Sequence, residues 1–80
     1  MATLRLFAQA REAAGVGTTV CDGHSVHEVL DNAVTRFGPG FAAVLEMSKV
    51  WVNGEEVPLS TVVTDKDEVA VLPPVSGGMQ

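Results

Sequence analysis

The sequence predicts an α+β domain, a mixed sheet of four to five strands with one main helix, at about 26–37, packed across one face. Three observations predict it. Apolar residues alternate near both ends of the chain, at 3–8 and 68–72, the period-2 signal of half-buried strands. The middle carries an apolar stripe of helical period with its own capping residues. After it, an Asn-Gly pair sits between short β-branched runs, as in a hairpin. Eighty residues, 46% of them hydrophobic and 19% charged, fit one small domain with a core and not a disordered chain.

Taken in order, Thr3-Leu4-Arg5-Leu6-Phe7-Ala8 reads as a strand with Leu4, Leu6 and Ala8 on one face and Thr3, Arg5 and Phe7 on the other. Residues 9–14 tolerate helix but stop at Gly15 and Gly17, which predicts a turn or short helical loop. The β-branched run at 17–21 is a second strand returning antiparallel, closed by Asp22-Gly23. Ser25 is a strong N-cap, and Glu28 three residues later completes a capping box. Val26, Val29, Leu30, Ala33, Val34 and Phe37 then form the helical stripe, with Gly38 and Pro39 ending it. Residues 41–47 add a short helix with Phe41, Val44 and Leu45 inward.

The hairpin spans 49–57, and Pro58 confines its returning strand to an edge. Residues 59–63 are expected as a packed loop, Asp65-Lys66-Asp67 as a turn, and 68–72 as the last strand, ended by Pro73. One sheet under one helix is the economical packing of this order. Burying the last strand requires it to pair in the middle, beside the first. That arrangement is the β-grasp, or ubiquitin-like, fold; a ferredoxin-like or other α+β sandwich is the alternative the pattern leaves open. The domain is expected over 1–72, with 73–80 as a flexible tail.

Composition narrows the function. Ten acidic against five basic side chains give a net charge of −5, which disfavours nucleic acid and anionic membranes as partners. No apolar run approaches the roughly 20 residues of a membrane span, and no basic segment followed by an apolar stretch marks a signal peptide. A single cysteine makes no internal disulfide and suits a reducing cytoplasm.

Several constellations look chemical and have plainer readings. Cys21, His24 and His27 stand three apart, but supply three ligands where a structural zinc takes four. No metal is expected, and Cys21 reads as a small buried hydrophobe. Glu55, Glu56, Asp65, Asp67 and Glu68 lie in two turns without calcium-loop spacing; they read as solvated charges, and together as an acidic rim that steers a basic partner. Alternation places Phe7, Trp51 and Leu72 on the sheet face away from the helix, where an exposed aromatic patch marks a protein interface. The competing register would bury Trp51. No nucleophile–base pair or phosphate loop indicates an enzyme acting alone.

The tail Pro73-Pro74-Val75-Ser76-Gly77-Gly78-Met79-Gln80 has no charged side chain. Two glycines without Cβ atoms let a backbone thread a narrow channel, and the missing charge lowers the cost of desolvating it. A plain flexible linker is the ordinary alternative.

At this point the chain resembles the small sulfur-carrier subunits of molybdopterin synthase, in the ubiquitin-like group that includes the thiamine- and cysteine-pathway carriers. The resemblance lies in Leu6-Phe7-Ala8-Gln9-Ala10-Arg11-Glu12-Ala13-Ala14-Gly15, in Val52-Asn53-Gly54, in Asp65-x-Asp67-Glu68-Val69, and in Leu72-Pro73-Pro74-Val75-Ser76-Gly77-Gly78. It implies that Gly78, preceded by Gly77, is adenylated by a ubiquitin-activating-like enzyme using ATP and then thiocarboxylated. It further implies a non-catalytic carrier that binds no cofactor and delivers sulfur to a pterin precursor inside the large catalytic subunit. Phe7, Trp51, Leu72, Pro73, Pro74, Val75 and Ser76 are the expected partner-binding residues.

Two departures stand out. Lys66 replaces the glycine usual between the two aspartates. Met79 and Gln80 follow Gly78, so its carbonyl is an amide, which points to a trimming peptidase, to two appended residues, or to a relative that is never loaded. The alternatives are therefore a carrier for cysteine, thiamine or a secondary metabolite, processed from this precursor, and a ubiquitin-like interaction module.

Overall fold

A computed structural model of the chain describes residues 1–74. The order of elements is β1 (Ala2–Leu6), α1 (Ala8–Ala14), β2 (Thr18–Cys21), α2 (Val26–Phe37), α3 (Pro39–Glu46), β3 (Lys49–Val52), β4 (Glu55–Glu56) and β5 (Glu68–Leu72). The five strands form one mixed sheet in the order β2-β1-β5-β3-β4. β1 and β5 run parallel at its centre, and every other pairing is antiparallel. This is the β-grasp topology, with the last strand beside the first.

Period-2 alternation decides which face packs. Leu4, Leu6, Val50, Val52, Val69 and Val71 are buried and meet Val26, Val29, Leu30 and Ala33 of α2 in one core. Phe41 of α3 is fully buried there, its ring 5.3 Å from that of Phe37. Six buried aliphatic strand residues at roughly 1.5–3 kcal/mol each are the largest favourable term for a domain this small.

Helix α2 has the bounds its stripe and caps predict. The Ser25 hydroxyl accepts the Glu28 backbone N–H at 3.2 Å. The Glu28 carboxylate reaches one residue further than in a standard capping box and accepts from the His24 N–H at 2.9 Å. Two other free N–H groups, of Val26 and His27, donate to the carbonyls of Thr61 and Leu59. These bonds explain a departure from expectation in the loop at 59–63. Only Val63 is buried; Leu59 and Val62 are 47% and 74% exposed, because backbone bonds to α2, more than side-chain packing, hold the loop.

The first strand also ends early. It was expected through Ala8, yet Ala8 opens α1 and is exposed. Phe7 is still extended, but Ala8 has φ of 50°, which swings the chain out of the sheet. A full helix of seven residues follows where a turn or helical loop was expected, burying Ala10 and stopping at Gly15 in the left-handed conformation. Asn53 and Gly54 have φ of 52° and 88°, as the hairpin turn between β3 and β4 requires, and β4 is an edge strand followed by Pro58.

One glycine is held by two constraints at once. Gly23 has φ of 148°, and a Cβ there would lie 2.6 Å from the Val29 backbone nitrogen. Gly40, inside α3, has open space around it. Gly23→Ala should therefore cost about 2 kcal/mol or more, whereas Gly40→Ala should gain about 0.5 kcal/mol from helix propensity. Denaturant midpoints of the two variants check this; equal effects would contradict the packing described for Gly23.

Candidate functional site

The central position of β5 decides where the tail begins. Its last residue, Leu72, pairs with Lys49 at the start of β3. On its other side the register Leu6–Val71 sets Phe7 alongside Leu72 at the end of β1. Pro73 is buried and Pro74 exposed. The chain thus leaves from the middle of the sheet, flanked by both neighbouring strands. Val75, Ser76, Gly77 and Gly78 of the expected site lie outside the described residues.

The face away from α2 carries the three large residues that alternation assigned to it. Trp51 is 36% and Phe7 38% exposed, and Leu72 is half-buried. The register that would have buried Trp51 is not adopted, since its neighbours Val50 and Val52 point into the core. A row across this face runs Thr18, Arg5, Ala70, Trp51, Glu56. Small Ala70 separates Arg5 from Trp51.

Arg5 is the residue that sequence reasoning passed over. Its guanidinium lies 5.6 Å from the centre of the Phe7 ring and 3.7 Å from the Glu68 carboxylate. Cation–π and ion-pair contacts at exposed sites are each worth about 1 kcal/mol or less. Their role here is to orient Phe7 and to place a cation on an aromatic face. The signal was present in the strand alternation, which sets Arg5 beside Phe7 on the same side. Alternation puts Lys49 on this face with Trp51, and only the long-range pairing with Leu72 shows that it stands beside the root of the tail.

At the opposite end of the sheet a polar clasp sets the β3–β5 register. The Asn53 side chain accepts from the Glu68 N–H and donates to Asp67, both at 2.9 Å. The second Asp67 oxygen accepts from the Thr64 N–H at 2.8 Å. Asp67, expected as a solvated charge, is thus a structural acceptor. Lys66, between the two aspartates, forms the turn without a glycine.

The remaining candidates separate. Cys21 is buried in the core, and burial pushes its thiol above the ordinary value despite the opposing charge of Arg36. His24 and His27 are exposed, and the His27 Nδ1 lies 3.4 Å from Asp31. The three do not converge. Among the described residues no group of three or more His, Cys, Asp or Glu side chains is placed to hold a metal, and no helix is long and apolar enough to cross a membrane.

The ThiS family model matches residues 4–78. The chain belongs to the ThiS family. Within reach of this family lies a molybdopterin synthase sulfur carrier subunit of Haemophilus influenzae, 35% identical over 81 residues, covering 98% of this chain and 100% of that protein. Among solved structures, small archaeal modifier protein 1 of Methanosarcina acetivorans is 29% identical with a TM-score of 0.86, covering 96% of this ThiS-family chain and 95% of that one. A chain of the BexX/CysO complex of Amycolatopsis orientalis is 26% identical with a TM-score of 0.82, covering 98% and 100%.

Asn53 and then Thr64 hold the Asp67 carboxyl below its ordinary value. A carboxylate depressed in the folded state adds stability above its unfolded pKa, near 3.9, and loses it as pH falls through the folded value. Asn53→Gly keeps the turn conformation and removes the amide. Carboxyl titration by NMR should show Asp67 moved up toward the ordinary range in this variant; an unmoved Asp67 would mean that the clasp is not what depresses it.

Proposed function

We propose that this ThiS-family chain is the sulfur carrier of molybdopterin synthase, working through the carboxyl group of Gly78. One observation supports this above the rest. The central strand ends at Leu72, half-buried beside exposed Phe7 and Trp51, and in the sequence Pro73-Pro74-Val75-Ser76-Gly77-Gly78 follows directly. A docking face and an uncharged arm start from the same point, so a partner that covers the face receives the arm in a defined place.

The chemistry divides between this chain and its partners. A peptidase hydrolyses the Gly78–Met79 bond and frees the Gly78 carboxylate. An adenylating enzyme joins that carboxylate to the α-phosphate of ATP, and pyrophosphate leaves. A sulfur donor then displaces AMP and leaves a thiocarboxylate. The large catalytic subunit takes up the arm through Gly77 and Gly78, whose missing Cβ atoms suit a narrow channel, and the thiocarboxylate sulfur is transferred to the pterin precursor. Phe7, Trp51, Leu72 and Pro74 hold the partner, whereas Pro73, expected to do so as well, is buried in the domain and anchors the start of the tail. All of this takes place in the cytoplasm, and the chain binds no cofactor of its own; ATP belongs to the activating partner.

A second reading rests on a specific feature. Met79 and Gln80 follow Gly78, and the chain shares its fold with the CysO-complex chain and with the archaeal modifier protein over nearly its whole length. A carrier for cysteine, thiamine or a secondary metabolite, or a modifier of other proteins, shares the loading chemistry and differs in the acceptor.

Residues 1–78 and the full chain, each incubated with the adenylating enzyme, ATP and a sulfur source, should part on intact mass. The shortened chain gains about 16 Da, one sulfur for one oxygen at the acyl group, and the full chain gains nothing. No gain in the shortened chain would overturn the carrier reading. Adding the large subunit and precursor decides the acceptor. Trp51→Asp should weaken large-subunit binding about tenfold or more, as loss of a buried aromatic anchor does, with the thermal unfolding of the free chain nearly unchanged.

A further inference from the structure

A second surface lies on the other side of the molecule. Between α2, α3 and β3 is a half-open groove of about 400 Å³. Its floor and walls are apolar: Leu30, Val34, Ala42, Leu45, Val50 and Leu59. Leu59 is 47% exposed and is held over the groove because the Leu59 carbonyl accepts the His27 N–H. The polar groups at the groove are His27, Asp31, Glu46 and Ser48. Ser48 donates to the Val44 carbonyl, and His27 lies 3.4 Å from Asp31. Glu46 has no ion pair among the described residues. No lysine or arginine lines the groove, so its rim is acidic with an apolar floor.

That pattern selects its occupant. A second copy of this chain would bring a net charge of −5 and the same acidic rim, and like charges brought together oppose association. An anionic membrane is opposed for the same reason. The matching partner presents one or two aliphatic side chains flanked by lysine or arginine, the display of a basic amphipathic helix.

We propose that the α2–α3–β3 groove is a docking site for a basic amphipathic helix of a partner protein. Aliphatic side chains one turn apart enter beside Leu45 and Leu59, and the flanking cations meet Asp31 and Glu46. The groove lies on the helix side of the sheet, and the Phe7–Trp51–Leu72 face lies on the other. A protein held in the groove therefore leaves the outer face free. The proposal is independent of what the tail carries, and its test makes no use of Gly78.

The probe is a synthetic 12-residue amphipathic helix of leucine, alanine and lysine, titrated into the isotopically labelled full chain and followed by amide NMR shifts. Its counterpart has every lysine replaced by glutamate. Shifts from the lysine peptide should concentrate at Leu30, Val34, Leu45 and Leu59, and the glutamate peptide should cause none. The double variant Asp31→Lys, Glu46→Lys should weaken the lysine peptide about fivefold, the scale of two exposed ion pairs. Leu59→Glu, at a position exposed enough to leave the fold intact, should weaken it as well. Shifts scattered over all acidic residues, shifts centred on Trp51, or equal affinity for both peptides would each overturn the proposal. Variants whose amide spectra report misfolding are replaced by Glu46→Gln, for which a loss of affinity is still expected and its absence counts against the site.

Discussion

The parallel pairing of β1 with β5 is the constraint on which the rest depends. It joins residues 3–6 to residues 68–71, so almost the whole chain is enclosed between partners. Closing a loop that long costs only slightly more than closing a shorter one, because the entropy grows with the logarithm of length. The pairing must still be held by burial. Leu4, Leu6, Val69 and Val71 are at most 2% exposed, and α2 lies across them as the necessary crossover layer. With the centre occupied by the first and last strands, the hairpin of β3 and β4 and the returning β2 can only add outward.

This topology divides the surface. The inner side of the sheet is covered by α2 and α3. The outer side has no covering layer, and it keeps Phe7 and Trp51 in water at a cost that polar residues there would not incur. The same side receives Arg5 and Lys49, two of the five cations of an acidic chain. With Glu56 beside Trp51 and Glu68 paired to Arg5, this aromatic face carries charges of both signs at its edge. The groove on the helix side has carboxylates alone, Asp31 and Glu46, beside His27.

How far the sequence foretold this follows from the range of each interaction. Local signals were legible: the bounds of α2 come from Ser25, Glu28, Gly38 and Pro39, and the hairpin turn from Asn53-Gly54. Alternation also foretold that Trp51, Phe7 and Leu72 share the outer face. What failed depended on a backbone turn that the strand pattern hides, or on contacts distant in sequence. Ala8 fits a strand pattern, and only the turn at its positive φ removes it. Leu59 and Val62 look like core, yet the backbone bonds of their loop to the start of α2 leave them exposed. Asp67 looks like a solvated charge, and its acceptor role needs Asn53, 14 residues away.

The placement of Cys21 follows from the same framework. A thiol's reactivity as a nucleophile rises with its thiolate fraction. Cys21 pairs with Ala2, at the end of β1 opposite the root of the tail, about 13 Å along the strand at the ordinary rise per residue. Its side chain is buried in the core, and burial outweighs Arg36 in setting its protonation. Burial therefore favours the protonated thiol, at the end of β1 away from Phe7. The antiparallel return of β2, from Thr18 opposite Arg5 to Cys21 opposite Ala2, places the thiol at that end, and strand alternation turns it inward with Ala2.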